Sequence, residues 1–216
     1  MSIKSKLVPA AAALALIVGV GVAGTRTANA ATPQCGRACS NLYSHAFGPA
    51  WVLNVHRHIG RPGQPTALAQ ASRANQGEDF IIDRLGQVRD LFRAGLASGG
   101  LTALYGRLFA YEIEYSPHGS FSGLCLGVRT APGAGTPVVL ESCGVTAKTV
   151  WIFEPVKTHT GTFFRLISAA TSRNFGHPLV LSVRARGLPL ITAPLAVHAH
   201  QLWRARQGVL PSSPAH

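Results

Sequence analysis

Eight carboxylates, nine histidines and four cysteines are the groups of this 216-residue chain that could move protons, hold a metal or attack a substrate. Their spacing argues against most of that chemistry. Glu78, Asp79, Asp83 and Asp90 cluster in sequence, and Glu112 and Glu114 share one side of an alternating run. Glycoside cleavage needs two carboxyls a few ångströms apart in unlike environments, and nothing in the spacing specifies such a pair. No Gly-x-Ser-x-Gly elbow presents a nucleophile. His56 and His58, like His198 and His200, form His-x-His pairs whose members share one face of any strand that carries them. Two imidazoles with no acid close by fall short of a metal site unless distant residues complete it, so neither metal nor cofactor is expected.

The cysteines take their meaning from the compartment. Met1 to Lys6 carries two lysines, Leu7 to Gly24 is apolar, and Thr25-Arg26-Thr27-Ala28-Asn29-Ala30 ends in small residues. This is the layout of a secretory leader cleaved after Ala30, with a retained anchor as the rival reading. Cleavage removes Lys4, Lys6 and Arg26 and no acid, taking three from a formal charge of +12 and leaving +9 on 186 residues. No second apolar run of spanning length follows, so the mature protein is expected to be extracellular and free of the membrane. In an oxidising compartment all four cysteines are expected to pair, Cys125 with Cys143 and Cys35 with Cys39. Zinc is the rival for Cys35 and Cys39, but no second close Cys or His pair stands at ligand spacing beside them.

The elements that must position any site come from an internal repeat. Val52-Leu53-Asn54-Val55, Cys125-Leu126-Gly127-Val128 and Val180-Leu181-Ser182-Val183 share one apolar pattern, and each precedes a Gly-x-Pro at Gly63, Gly135 or Gly187. An extended run follows each, and an aromatic closes it: Phe80, Trp151 or Trp203, 15, 14 and 14 positions beyond the proline. Near-constant spacing after the turn and variable length before it are what a repeated unit with loose loops should show. The runs are short and punctuated by Gly and Pro, which predicts strands, hence an all-β chain. Three such units can bury their apolar faces by closing around a shared axis, each sending its aromatic to a common core.

Gly123-Leu124-Cys125-Leu126-Gly127-Val128, the run through Gly135-Thr136-Pro137 to Cys143, Thr149-Val150-Trp151, and Gln201-Leu202-Trp203 resemble ricin-type β-trefoil lectin repeats. The middle copy matches best, the last has the Gln-x-Trp without cysteines, and the first ends Glu78-Asp79-Phe80. The chain is similar as well to a group of exported actinobacterial proteins with this arrangement. The resemblance implies a β-trefoil over 45–206, with an insertion at 81–120 between the first and second copies. An N-terminal disulfide segment (31–44) would precede it and a flexible tail (207–216) would follow. Within the insertion, Val88 to Leu96 suits either a strand or a short helix, and Tyr111 to Tyr115 alternates as a strand.

The resemblance also implies sugar sites built from a carboxylate at the third tetrad position, an aromatic platform, and an Asn or Gln near the Gln-x-Trp. Here the third positions are Asn54, Gly127 and Ser182, so no copy keeps the acid and the middle copy keeps no side chain. Asn54 with Asn75 and Gln76, and Ser182 with His200 and Gln201, are the candidate ligand-binding sets. Their competing roles are structural: a turn held by Asn or Ser, and backbone groups tied by Gln201. The expected partner is a carbohydrate or an anionic glycopolymer drawn by the basic charge. No lysine-rich run or basic-aromatic ribbon points to specific nucleic-acid binding. A protein-interaction or inhibitor role with vestigial sugar sites is the alternative, and an enzyme built on the acids around Asp79 the third reading.

Overall fold

The computed structural model describes residues 39–72, 76–129, 132–171 and 177–207. The leader, Cys35, Asn75 and the tail readings lie outside them, as does the side chain of Gln76. Twelve strands arrange as three laps of four. The first lap holds β1 (Ser40–Ser44), β2 (Trp51–Val55), β3 (Thr66–Gln70) and β4 (Phe80–Gln87). The second holds β5 (Phe109–Tyr115), β6 (Leu124–Gly127), β7 (Val139–Ser142) and β8 (Val150–Thr158). The third holds β9 (Gly161–Ser168), β10 (Leu179–Ser182), β11 (Ile191–Pro194) and β12 (Trp203–Gln207).

The outer strands of the laps close a six-strand antiparallel ring. β1 pairs β4, β4 pairs β5, β5 pairs β8, β8 pairs β9, β9 pairs β12, and β12 returns to β1. A closed ring has no unpaired edge to template association. The inner strands of each lap, β2–β3, β6–β7 and β10–β11, form three hairpins.

Those hairpins meet at the Gly-x-Pro turns. Thr66 N donates to the Val138 carbonyl (3.1 Å), Val138 N to Leu190 (2.9 Å), and Leu190 N to Thr66 (2.8 Å). The residue after each proline thus belongs to a cyclic trio of backbone hydrogen bonds around the axis. Gly63, Gly135 and Gly187 sit at φ 81°, 85° and 72°, a region an L side chain adopts only with strain, which explains the glycine in every copy. Each glycine N–H also reaches across to a neighbouring hairpin, at Leu140, Thr192 and Leu68 respectively.

Phe80, Trp151 and Trp203 are fully buried in one core with Leu53, Leu126 and Leu181. The two indoles spend their N–H groups on matching carbonyls, Trp151 Nε1 on Leu126 (2.8 Å) and Trp203 Nε1 on Leu181 (3.0 Å). A buried indole needs such an acceptor, and the threefold relation supplies it twice.

The structure narrows the 81–120 insertion. Residues 80–87 and 109–115 are ring strands β4 and β5, paired to each other with a bulge near Arg84 and Gly86. Only the connector between them departs from the other laps. It forms two short helices, α1 (Val88–Arg93) and α2 (Gly99–Tyr105), the latter capped by Ser98 accepting from Leu101 N. Val88, Leu91 and Leu101 bury their faces in a satellite core with Ile152 and Ile167. The ring also begins ahead of residue 45, because β1 supplies one of its six strands. No helix among the described residues is long and apolar enough to cross a membrane.

Cys125 and Cys143 are bridged, tying β6 to the end of β7, with a sequence separation of 18. Cys39 is disulfide-bonded as well. Chain-entropy arithmetic for a loop of this length gives about 3 kcal/mol. Reduction of the Cys125–Cys143 bridge, or a Cys125→Ala/Cys143→Ala double variant, is therefore expected to lower the unfolding free energy by about that amount. Guanidinium titration of each form checks this, and a difference below about 1 kcal/mol would mean the β6–β7 hairpin is equally ordered without its bridge.

Candidate functional site

The three laps place equivalent residues in equivalent positions, so each candidate can be judged against its two counterparts. The third tetrad residue lies at the end of an inner strand, facing the turn that leads to the closing aromatic. In the second lap that place is filled by backbone. A Cβ added to Gly127 would lie 2.8 Å from the Lys148 carbonyl oxygen, and Val128 N already donates to that same oxygen.

In the first lap Asn54 is buried beneath the 3-10 turn Gln76–Glu78. A Cβ on Gly77 would come within 2.9 Å of the Asn54 Oδ1 and 2.8 Å of the His58 ring. The amide and the His58 ring thus both lie against Gly77, and the amide's Nδ2 has no hydrogen-bond partner among the described residues. Asn54 thus lies against the 76–78 turn, while Asn75 and the side chain of Gln76, its companions in the candidate set, lie outside the described residues.

The third lap is open. Ser182, Val183, Arg184, His198, His200 and Gln201, with Ile191 and Ala193, line a groove of about 770 Å³. The sequence candidates Ser182, His200 and Gln201 are therefore brought together, and two of them keep free chemistry. The Ser182 hydroxyl makes no hydrogen bond among the described residues. His200 is exposed, and its Nδ1 lies 3.0 Å from the Val183 carbonyl. A carbonyl only accepts, so Nδ1 carries the hydrogen and Nε2 is left as an acceptor on the neutral ring.

Gln201 is different. It is buried, its Oε1 accepts from Ala196 N (2.8 Å), and its Nε2 donates to the Pro194 carbonyl (2.8 Å). Each end of the amide makes one hydrogen bond that pins the loop after β11, so Gln201, which also lines the groove, serves the scaffold. The same task recurs in the other laps with other chemistry. In the first, both oxygens of Glu78 accept from Ser72 N, at 3.2 and 3.1 Å. In the second, Glu112 on β5 accepts from Val145 N (2.9 Å) and from the Thr149 hydroxyl (2.6 Å).

That recurrence accounts for several of the carboxylates. Glu114, beside Glu112 on the same face of β5, accepts from Gly123 N (2.8 Å). Glu154 pairs with Arg165 (3.0 Å), and Glu141 stands 3.5 Å from Arg129. The Glu78 carboxyl is pushed up to about 7 because burial disfavours its charge, helped by neighbouring Asp79 and opposed by the Ser72 N–H and by Arg206.

The His-x-His premise of a shared strand face does not hold. His56–His58 is a 3-10 turn whose Arg57 and His58 sit at φ 57° and 55°, and His198 caps a second such turn, Ala199–Gln201, that carries His200. Among the described residues no group of three His, Cys, Asp or Glu side chains is arranged to hold a metal. Sequence reasoning missed Arg184, whose only signal is its place one residue beyond the third tetrad. With Arg184, His198 and His200 on its walls and no Asp or Glu among its lining residues, the groove is a basic one.

No protein-family model matches the chain, and no curated protein matches it. Solved structures do. The chain is similar to ThreeFoil, a designed 3-fold symmetric protein, at 17% identity and a TM-score of 0.56, covering 78% of this chain and 97% of that one. The fold is a β-trefoil. The trefoil is similar too to the β-trefoil lectin of the Vibrio vulnificus haemolysin/cytolysin, solved with N-acetyl-D-lactosamine bound, at 14% identity and a TM-score of 0.50 over 81% of this chain and 98% of that one. A third likeness is to 1,3Gal43A, an exo-β-1,3-galactanase from Clostridium thermocellum, at 12% identity and a TM-score of 0.57 over 79% of this chain. The chain spans only 30% of the galactanase's length. At these identities the likeness establishes the trefoil, and the chemistry has to be argued from the groove.

Proposed function

We propose that this is an exported lectin-like protein that binds carbohydrate, anionic or cell-wall glycans in particular, at the third-lap groove without chemical turnover. The observation that carries the reading is the groove itself: an open cavity holding the uncommitted Ser182 hydroxyl and the His200 imidazole, with Arg184 and His198 beside them. A hydroxyl and an imidazole acceptor suit the vicinal hydroxyls of a sugar, and the Arg184 guanidinium supplies charged donors where the family's acid is lost. The arrangement favours acidic over neutral ligands.

Titration calorimetry with neutral and acidic sugars tests it. Acidic sugars are expected to bind in the range of about 1 mM or tighter and to weaken as salt rises. Ser182→Leu, which replaces the hydroxyl on the groove wall by a larger apolar side chain, is expected to reduce affinity about tenfold, or about 1.4 kcal/mol. Absence of binding by any sugar or wall polysaccharide at millimolar concentration rejects the reading.

A second reading, protein interaction through the connector helices with vestigial sugar sites, is favoured by one feature. Phe92 and Leu104 stand exposed on α1 and α2. A specific protein partner that stays bound in excess sugar, and is lost when both residues are changed to Ser, would decide for it.

A further inference from the structure

Beyond the groove wall the contacts continue without a break onto the first lap. His200 stands against Phe47 with ring centroids 5.5 Å apart. The Arg186 guanidinium lies 5.5 Å from the Phe47 ring and 4.4 Å from the Trp51 ring. Phe47 and Trp51 are only partly buried, and Arg186 is exposed. Arg184 and Arg186 flank one residue of the same connection, the first on the groove and the second over the indole.

We propose that the Phe47–Trp51 ledge is a second subsite, continuous with the groove, and that the two together take an acidic oligosaccharide of at least two sugars. This extension rests on the groove reading. Each part of the ledge matches a part of such a ligand. A partly exposed indole offers a flat apolar face to the C–H face of a pyranose. A guanidinium resting on it presents a planar fork of N–H donors suited to a uronate carboxylate. An exposed cation–π contact is weak enough to be exchanged for that sugar face, so Arg186 can move from stacking on Trp51 to gripping the carboxylate. The pairing crosses laps, since Trp51 and Phe47 come from the first and Arg184, Arg186 and His200 from the third. A monosaccharide can fill the groove alone, whereas only a longer chain reaches the ledge.

The protein supplies its own reporter. Of its three tryptophans, Trp151 and Trp203 are fully buried and Trp51 is not, so a ligand-induced change in emission or in iodide quenching reports the ledge. With the full chain, tetragalacturonate is expected to bind at least tenfold more tightly than galacturonate and to protect Trp51 from iodide. Arg186→Glu and Arg186→Gln are expected to bring tetragalacturonate down toward monosaccharide affinity while leaving galacturonate unchanged. Trp51→Phe is expected to abolish the optical signal while holding affinity within threefold. Calorimetric binding of both sugars that ignores both Arg186 variants and leaves Trp51 emission unaltered overturns the ledge and spares the groove. Absence of heat from either sugar overturns the groove reading, and the ledge with it.

Discussion

Replacing Glu78 with Gln is expected to stabilise the protein by up to about 3 kcal/mol at pH 8 and to have little effect at pH 4. Glu78 is 6% exposed and carries a carboxyl that titrates at about 7 in the folded chain, against an ordinary 4.5. Below pH 4.5 the group is protonated in both states and its full contribution to stability is present. As pH rises toward 7 the unfolded chain releases its proton first, so stability falls. Above 7 both states are ionised and the loss is complete. Glutamine removes this dependence and keeps the acceptor that Ser72 N requires. The third lap already uses that solution, where Gln201 accepts from Ala196 N and donates to Pro194 O. Denaturant titrations of both proteins at pH 4, 6 and 8 check it. A wild-type-minus-variant difference that does not grow across that window would show that burial is not what governs the Glu78 carboxyl.

Trp203→Ala is expected to cost about 3–5 kcal/mol, close to unfolding a domain whose whole stability is of order 5–15 kcal/mol. The indole is fully buried at the shared core, and its removal leaves both a large void and a Leu181 carbonyl without its 3.0 Å donor. Trp203→Phe separates the two effects, since a ring remains while the donor is lost. It is expected to cost about 1–3 kcal/mol. The first lap tolerates that arrangement natively, with Phe80 in the corresponding place and equally buried. Midpoints in guanidinium for wild type, Trp203→Phe and Trp203→Ala should fall in that order. A loss under about 1 kcal/mol for Trp203→Ala would contradict the threefold core as the main source of stability.

The sequence by itself determined the threefold closure, because its signals are local and steric. Only glycine sits comfortably at the positive φ of Gly63, Gly135 and Gly187, each proline stiffens the turn that follows, and a large ring at fixed distance has one way to be buried. The inner hairpins and the burial of Phe80, Trp151 and Trp203 were legible on those grounds, and the Cys125–Cys143 bridge on the oxidising compartment that the leader implies. Strand β1 carries no such punctuation, and it becomes a strand through pairing with β12, far away in the chain. The connector between β4 and β5 was legible only as ambiguous, since a six-residue helix with one buried face has too few periods to announce itself.

The fate of each site residue was decided by tertiary structure alone. Asn54, Gly127 and Ser182 occupy the same position in three laps. One lies against a turn, one is displaced by a carbonyl, and one opens on a groove. Gln201 has the residue type of a ligand donor, and each end of its amide already holds the loop that closing the ring brings against it. Residue type sets which hydrogen bonds a side chain can make. Which of those are already taken depends on backbone groups that only the closed ring brings near, and so does the meeting of Arg186 with Trp51 across two laps.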